Sequence, residues 1–146
     1  MTNKNSCYTY FRIVGDFDPH KVTQLLNLTP DEYWSAGDFR KNGTRYDFSS
    51  WKYGTCSEYD VDTSEQMRKT ISGLLDKIDL LKKIRNENDV SFVLEVVPTV
   101  CVGESMPCLA PSLDIIDFCH LTRTEIDIDI DMSFLTRKGK KRKEST

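Results

Sequence analysis

The sequence lacks the apolar runs that mark membrane proteins and secreted precursors. None of its hydrophobic stretches approaches the about 18 consecutive apolar residues of a membrane span. The first residues, MTNKNS, are polar, and the apolar stretch after them is short and interrupted by Arg12 and Asp16, so no signal peptide is expected. These absences predict a cytoplasmic protein with no membrane association.

Histidine is scarce, and the motifs of common active sites are missing. His120 follows Cys119, but neighbouring residues on a helix point about 100° apart, so the two cannot easily form a nucleophile and base pair. The other histidine is His20, at the predicted start of a helix. No glycine-rich phosphate loop, serine motif with a paired base or HExxH pattern is present. The sequence therefore predicts a protein that is not an enzyme and holds no cofactor.

The cysteines show no paired short spacing. They are Cys7, Cys56, Cys101, Cys108 and Cys119. An odd number without such spacing argues against both a disulfide framework and a zinc site. We expect reduced thiols, most of them buried, as free cysteines usually are.

The net charge of −3 conceals an acidic body and a basic C-terminal segment. The last ten residues carry a net +5, so the rest of the chain carries −8. An acidic body disfavours specific recognition of nucleic acid. Residues 1–135 are predicted to form a single domain and residues 136–146 a disordered basic tail. The alternative role for that tail is nonspecific binding of nucleic acid or anionic lipid at low salt.

Alternating polar and apolar residues predict strands near both ends of the chain. Aromatic and β-branched residues indicate a strand at 7–15 (CYTYFRIVG), and VSFVLEVV indicates another at 90–97. In residues 125–134 (EIDIDIDMSF) the apolar side chains point one way and the aspartates the other. Weaker signals predict a short strand after Pro30 and a hairpin at Asn42-Gly43 that leads into a strand at 46–53.

Three helices are predicted from their starting residues and their apolar spacing. Asp18-Pro19 begins the first, and Thr63 with Gln66 has the capping-box spacing that begins the longest. That helix is expected to continue without interruption to residues 86–89, because apolar residues recur at helical spacing. Ser112 begins the third, which ends near Leu121.

This order of elements predicts an α+β fold. Strands separated by helices, with a hairpin in the middle, suit an antiparallel or mixed sheet with its helices mainly on one face. The pattern is that of a ferredoxin-like α/β plait that carries an extra unit.

Three segments carry a resemblance to a known family. They are YFRIVGDFDPHKVTQLLNLTP, then YWSAGD with a later SSW, and PSLDIIDFCHLTRTEIDIDID. In this order they resemble the bacterial domain of unknown function 4279 family, over most of residues 8–132. The resemblance implies a small bacterial α+β protein but no activity, and some relatives resemble acidic proteins encoded beside toxin genes, which implies an immunity role. The insert at 99–108 and the basic tail depart from the pattern.

The closing strand contains the first candidate site, Asp127, Asp129 and Asp131. Residues two apart on a strand lie about 7 Å from each other, which is too wide for one compact cation site unless a neighbouring strand contributes. We therefore expect no metal. The alternative to a metal site is a solvated acidic face that Arg12 or Lys52 of adjacent strands partly neutralises.

The second candidate site comprises Trp34, Asp38, Arg40 and Trp51. A tryptophan beside a Gly-Asp turn can form a shallow aromatic pocket with a charged anchor. The alternative is that both tryptophans belong to the core and that the Asp38 carboxylate caps a turn.

These features favour a non-catalytic protein-binding module whose acidic surface engages a protein partner. An immunity protein that blocks a basic toxin fits this description, because opposite charge speeds such an encounter. The alternative is a small-ligand-binding protein or enzyme that uses a cleft near Trp34 and Asp38. A third hypothesis is a structural protein that assembles through an unpaired sheet edge. The sequence leaves the oligomeric state open.

Overall fold

The computed structural model describes residues 4–59 and 62–131, which form a five-stranded mixed sheet with helices on one side. The strands are β1 (Ser6–Asp16), β2 (Glu32–Trp34), β3 (Ser49–Tyr59), β4 (Asp89–Thr99) and β5 (Thr124–Ile128). The helices are α1 (Pro19–Leu26), α2 (Thr63–Ile71), a 3-10 helix (Ser72–Lys77), α3 (Ile78–Glu87) and α4 (Leu113–Thr122).

The strand order is that of a ferredoxin-like plait with one added unit. The order across the sheet is β2-β3-β1-β4-β5, and the pairings are antiparallel except for the parallel pair β4–β5. The chain crosses from β1 to β2 through α1 and from β3 to β4 through α2 and α3. The added β5 is parallel to β4, and α4 supplies the crossover that parallel neighbours require. The predicted α+β fold class is confirmed.

The central strand β1 determines which face of the sheet is covered. Its residues Cys7, Thr9, Phe11 and Ile13 are buried, and those between them are half-buried. Because successive side chains of a strand point to opposite faces, the helices cover one face and leave the other. The core on the covered face also includes Trp51, Met67, Leu74, Leu81, Phe92, Leu94, Val96, Ile115 and Phe118.

Helix α1 begins and ends where its sequence indicates. The Asp18 carboxylate accepts a hydrogen bond from the amide of His20 at 3.0 Å, and Pro19 occupies the first turn, where no amide donor is needed. Asn27 ends the helix in the left-handed conformation, with φ of 53°.

Across the described ranges, no helix has both the length and the apolar character needed to cross a membrane.

The uninterrupted helix predicted from residue 63 is wrong. A 3-10 segment separates α2 from α3, and within it Gly73 lies against the Tyr53 hydroxyl so closely that a β-carbon would overlap it. The cap was also misassigned, since Asp62 is the N-cap and accepts from the amide of Ser64 at 2.8 Å. Thr63 is the first helical residue, and its hydroxyl donates to the carbonyl of Cys108.

Two strands differ from their predicted limits. The strand expected at 46–53 begins at Ser49 and continues to Tyr59. The closing strand is regular only to Ile128, after which Asp131 forms an isolated bridge with Thr99. Residues 132–134 of that prediction, and the predicted tail at 136–146, lie outside the described residues.

A close approach between β3 and α2 yields a stability prediction. Gly54 has a φ of 74°, and a β-carbon there would overlap the carbonyl oxygen of Thr70. Gly54→Ala should therefore lower the free energy of unfolding by more than about 2 kcal/mol, because backbone strain and a displaced helix add together. Gly37→Ala is the matched control, since Gly37 has a φ of 93° with open space around it, and should cost about 1 kcal/mol. Equal losses in urea unfolding would contradict the close approach.

Candidate functional site

The sheet face that the helices leave uncovered carries the residues of interest, and we call it the uncovered face. On β1, Tyr8, Tyr10, Arg12 and Val14 point to this face and are half-buried. The pairing of β1 with β4 places Val97, Glu95, Val93 and Ser91 beside them, in that order. The uncovered face thus combines aromatic, apolar and charged side chains on its central strands.

Five carboxylates line the β4–β5 side of this face. Glu95 lies opposite Tyr10 on β1 and opposite Asp127 on β5, so the three side chains share a face. Asp129 continues the β5 ladder, because its amide donates to the carbonyl of Val96 at 2.9 Å. We call this set the acidic strip, and its members are Glu95, Glu125, Asp127, Asp129 and Asp131. Glu95 is half-buried and the other four are exposed.

The acidic strip shifts the titration of its most buried member. Burial raises the pKa of Glu95 to about 7, and a hydrogen bond with the Asp127 carboxyl and the charges of Asp127 and Asp129 act in the same direction. The Arg12 guanidinium opposes the shift. The Glu95 carboxyl is therefore partly protonated close to neutral pH.

Arg12 and Lys52 were expected to neutralise the aspartates in part, but neither forms an ion pair with them. Arg12 pairs with Glu32 of β2, with a nitrogen to oxygen distance of 4.0 Å. The Lys52 ammonium donates to the Tyr8 hydroxyl at 2.6 Å. The other ion pairs among the described residues also lie away from the acidic strip. They join Arg68 to Glu65, Arg68 to Asp114, and Lys69 to Glu58.

The opposite side of the uncovered face holds alternating cations and rings, which we call the cation–aromatic row. Arg12 lies over Tyr10 at 5.2 Å and over Trp34 at 5.5 Å, and Trp34 stacks on Tyr46 at 4.1 Å. Lys52 lies 4.3 Å from the Tyr10 ring. These contacts hold the loop between β2 and β3 against the sheet. The row comprises Arg40, Tyr46, Trp34, Arg12, Tyr10, Lys52 and Tyr8.

The structure separates the four residues of the second predicted site. Trp34 and Arg40 both contact Tyr46. Trp51 lies on the covered face instead, is fully buried, and donates its indole N–H to the Thr23 hydroxyl at 3.0 Å. Trp51 therefore does not share a pocket with Trp34, and the prediction that grouped them is wrong. Asp38 caps a turn, because its carboxylate accepts from the amide of Ser35 at 2.8 Å.

A shallow cleft does open near Trp34, at one end of the uncovered face. Its volume is about 830 Å³. Arg12 and Val14 of β1 and Ser91 of β4 line it together with Ala36 and Phe48 of the β2–β3 loop. That loop therefore rises beside the uncovered face. The exposed carboxylates on the cleft are those of Asp16, Asp47 and Asp89.

The tip of the β2–β3 loop is locally basic, in contrast to the rest of the body. Phe39 forms a bridge with Arg45, and the turn between them is closed by the Gly43 amide, which donates to the carbonyl of Arg40 at 3.1 Å. We call residues 39–45 the cationic hairpin. Its side chains include Arg40, Lys41 and Arg45, and 66% of Phe39 is exposed.

Cys119 and His120 do not form a nucleophile and base pair. Burial raises the pKa of Cys119 to about 11, so this thiol stays protonated and poorly nucleophilic at neutral pH. Cys119 is buried and His120 is exposed, as expected for neighbours on a helix. Within residues 4–59 and 62–131, no group of three or more His, Cys, Asp or Glu residues converges closely enough to hold a metal ion.

The fold and the site together define a plait of the ferredoxin-like type with one sheet face open. The chain belongs to the family described as domain of unknown function DUF4279, whose model matches residues 5–133. No curated protein and no solved structure matches the chain. The function of the family is unknown, so the function of this chain must be inferred from its uncovered face.

Sequence reasoning missed Glu95 and the partners of Trp34. Glu95 is the only charged residue within VSFVLEVV, and a lone carboxylate in an apolar strand was the available signal. Its pairing with Asp127 depends on strand neighbours that lie 32 positions apart in the chain. The stacking of Tyr46 on Trp34 likewise depends on the path of the loop between them.

The raised pKa of Glu95 predicts how stability depends on pH. A carboxyl whose folded pKa lies above its unfolded value of 4.5 contributes stability that is present below about pH 4.5 and is lost as pH rises through about 7. Glu95→Gln should remove this loss, so its free energy of unfolding should change less than that of the unmodified protein between pH 5 and 8. Glu125→Gln, on the neighbouring strand, is the control. Identical pH profiles for Glu95→Gln and the unmodified protein would contradict the Glu95–Asp127 pair.

The turn cap at Asp38 yields a second prediction. Asp38→Ala removes the acceptor for the Ser35 amide and should cost about 1 kcal/mol, which lowers the melting temperature by about 2–4 °C in a chain of this size. Asp38→Asn keeps an acceptor oxygen and should lose less. A calorimetric scan that shows no loss for Asp38→Ala would rule out the capping role.

Proposed function

We propose that this protein is a non-catalytic protein-binding module whose acidic strip docks a cationic protein surface. The observation that supports it best is the exposure of four strip carboxylates on the uncovered face, away from the ion pairs that Arg12, Arg68 and Lys69 form. A charged surface buried beneath a helix and matched one to one by arginine or lysine would have left no place for a partner. The uncovered face meets neither condition.

The geometry of the strip suits recognition of an extended set of cations. Same-face residues on a strand are about 7 Å apart, so Glu125 and Asp127 of β5 present a ladder of charge, and Asp129 extends it through its hydrogen bond to the carbonyl of Val96. The ladder lies on a sheet held by paired strands, which keeps the carboxylates preorganised. Preorganisation reduces the entropy lost on binding.

Electrostatics also predicts the character of the encounter. Opposite charges steer two proteins together and increase the association rate, with most effect at low salt. In the cytoplasm of a bacterium, an immunity protein that blocks a basic toxin would use the strip in this way. The body's charge of −8 outside its last ten residues supports that role.

The proposal is tested by affinity capture from the native cell with a strip variant and a matched control. Glu125→Lys with Asp129→Lys changes the formal charge of the strip from −5 to −1, and Asp76→Lys with Glu87→Lys makes the same change in net charge at exposed positions on the helical side. The unmodified protein and the control should retain the same partner, and the strip variant should lose it. Raising the salt from about 0.1 M to 1 M should release the partner, because the screening length falls from about 10 Å to 3 Å. Equal capture by the strip variant would overturn the proposal.

A second candidate function rests on the cleft beside Arg12. Its volume of about 830 Å³ lies within the range of small-molecule sites, and the buried Nε of Arg12 has no hydrogen-bond partner among the described residues. A small ligand with an acceptor group would bind there. Amide-resolved NMR with a library of small carboxylates tests this candidate. Shifts grouped at Val14, Ala36 and Ser91 would support it, and their absence would exclude it.

A further inference from the structure

We propose that the cleft beside Arg12 binds an elongated zwitterion, a small molecule with a carboxylate at one end and an ammonium or guanidinium group at the other. Basic amino acids and short peptides with free ends belong to this class. The carboxylate end contacts Arg12, and the cationic end contacts Asp16, Asp47 and Asp89. This inference rests on the second candidate function, whose ligand class it names, and does not involve the acidic strip.

The strand register places opposite charges at the two ends of the cleft. Arg12, Val14 and Asp16 alternate along β1 and share the uncovered face. Ser91 of β4 lies opposite Val14, and Asp89 lies opposite Asp16. The cleft therefore extends from the guanidinium, past Val14 and Ser91, to the carboxylates at the end of the sheet. Four residues of strand separate its two ends, which is about 13 Å between α-carbons.

The guanidinium at the inner end has donors without acceptors. The Nε of Arg12 is buried and has no hydrogen-bond partner among the described residues. A terminal nitrogen lies 4.0 Å from the Glu32 carboxylate, and the other contacts of the group are with the rings of Tyr10 and Trp34. Since 26% of the Arg12 side chain is exposed, a ligand can reach it. A carboxylate accepts two N–H bonds from one guanidinium and would supply the missing acceptors.

A second polar group without a partner lies on the same face. The Ser50 hydroxyl is buried and makes no hydrogen bond with the described part of the chain, and only 1% of Ser50 is exposed. Ser50 lies opposite Val14 of β1 and Trp34 of β2, so its side chain points to the uncovered face beside the cleft. Buried polar groups usually have partners, and two that lack them mark the inner end as a place for a polar ligand.

The outer end of the cleft favours a cation. Asp16 and Asp89 lie directly opposite each other, where like charges destabilise a strand pair, and Asp47 of the β2–β3 loop adds a third exposed carboxylate. None of the three takes part in an ion pair with a described residue. Within the described ranges they also form no group that could hold a metal ion. An ammonium or guanidinium group of a ligand would offset their repulsion.

The middle of the cleft determines the shape of the ligand. Val14, Val90, Ala36 and Phe48 line it and offer an apolar surface between the charged ends. A ligand whose two charges are adjacent would reach only one end, so the link between them must be extended and can be apolar. The three carboxylates also disfavour a ligand that carries negative charge alone, because like charges repel across the cleft.

An NMR titration of the full chain with three matched probes tests the ligand class. The probes are 6-aminohexanoate, which has both charged ends, hexanoate, which has only the carboxylate, and hexylamine, which has only the ammonium. We expect 6-aminohexanoate to shift the amides of Val14, Ala36 and Ser91. It should bind at least about tenfold more tightly than either of the other probes, because both ends of one molecule are held.

Variants at the two ends assign each contact. Asp16→Asn with Asp89→Asn should weaken binding of 6-aminohexanoate by about tenfold without weakening binding of hexanoate, which has no cation. Arg12→Gln should weaken binding of both carboxylate probes without weakening that of hexylamine. Because Asp16 and Asp89 are exposed, their variant keeps the test decisive where Arg12→Gln disturbs the fold. The control, Asp76→Asn with Glu87→Gln, makes the same change in net charge on the helical side and should bind the probes normally.

Three outcomes would overturn the inference. Equal affinity for 6-aminohexanoate and hexanoate would remove the cationic contact but leave a carboxylate site, so the second candidate function would stand. Unchanged amides at the cleft with all three probes would overturn the second candidate function as well. Shifts at Asp16 and Asp89 with calcium or magnesium alone would assign these carboxylates to a metal ion. The acidic strip is unchanged in these variants, so its proposed role is tested separately.

Discussion

The structure depends on the strict alternation of β1, the strand at the centre of the sheet. One set of its side chains, Cys7, Thr9, Phe11 and Ile13, is buried beneath the helices. The other set carries polar or charged groups on Tyr8, Tyr10 and Arg12, which are costly to bury without partners. A helix layer on both faces would have had to desolvate them. The chemistry of β1 therefore confines the helices to one side, and four carboxylates of the acidic strip are exposed on the other face.

The order of the strands then decides how that face is used. Since β1 separates β3 from β4, the cations of β3 and the β2–β3 loop are kept away from the carboxylates of β4 and β5. Arg12 and Lys52 contact aromatic rings, Glu32 and the Tyr8 hydroxyl and form no ion pair with the strip, and the Arg12 charge offsets only part of the raised pKa of Glu95. Charge segregation of this kind supports the proposed recognition of a charged surface.

Local patterns predicted the fold, and long-range contacts explain what was missed. Alternation in residues 7–15 and 125–128 correctly separated the two faces of β1 and β5, because side-chain direction in a strand is a local property. Helical spacing overestimated the helix after residue 62, because a local pattern does not register the 3-10 segment, in which Gly73 lies against Tyr53 of β3. The two tryptophans were grouped by proximity in the chain, yet pairing between β2 and β3 places Trp51 opposite Tyr33 and Trp34 opposite Ser50, on opposite faces. The role of Glu95 depends on the pairing of β5 with β4, which local sequence patterns do not predict.

The central claim is that the helix-free face of the sheet is the binding surface. Amide-resolved NMR tests this claim most directly, by comparing the resonances of the protein alone with those of the protein bound to its captured partner. The account predicts that perturbations cluster on Tyr8 to Arg12, on Val93 to Val97 and along Glu125 to Asp131. Perturbations confined to α2, α3 and α4, with these strands unchanged, would contradict it.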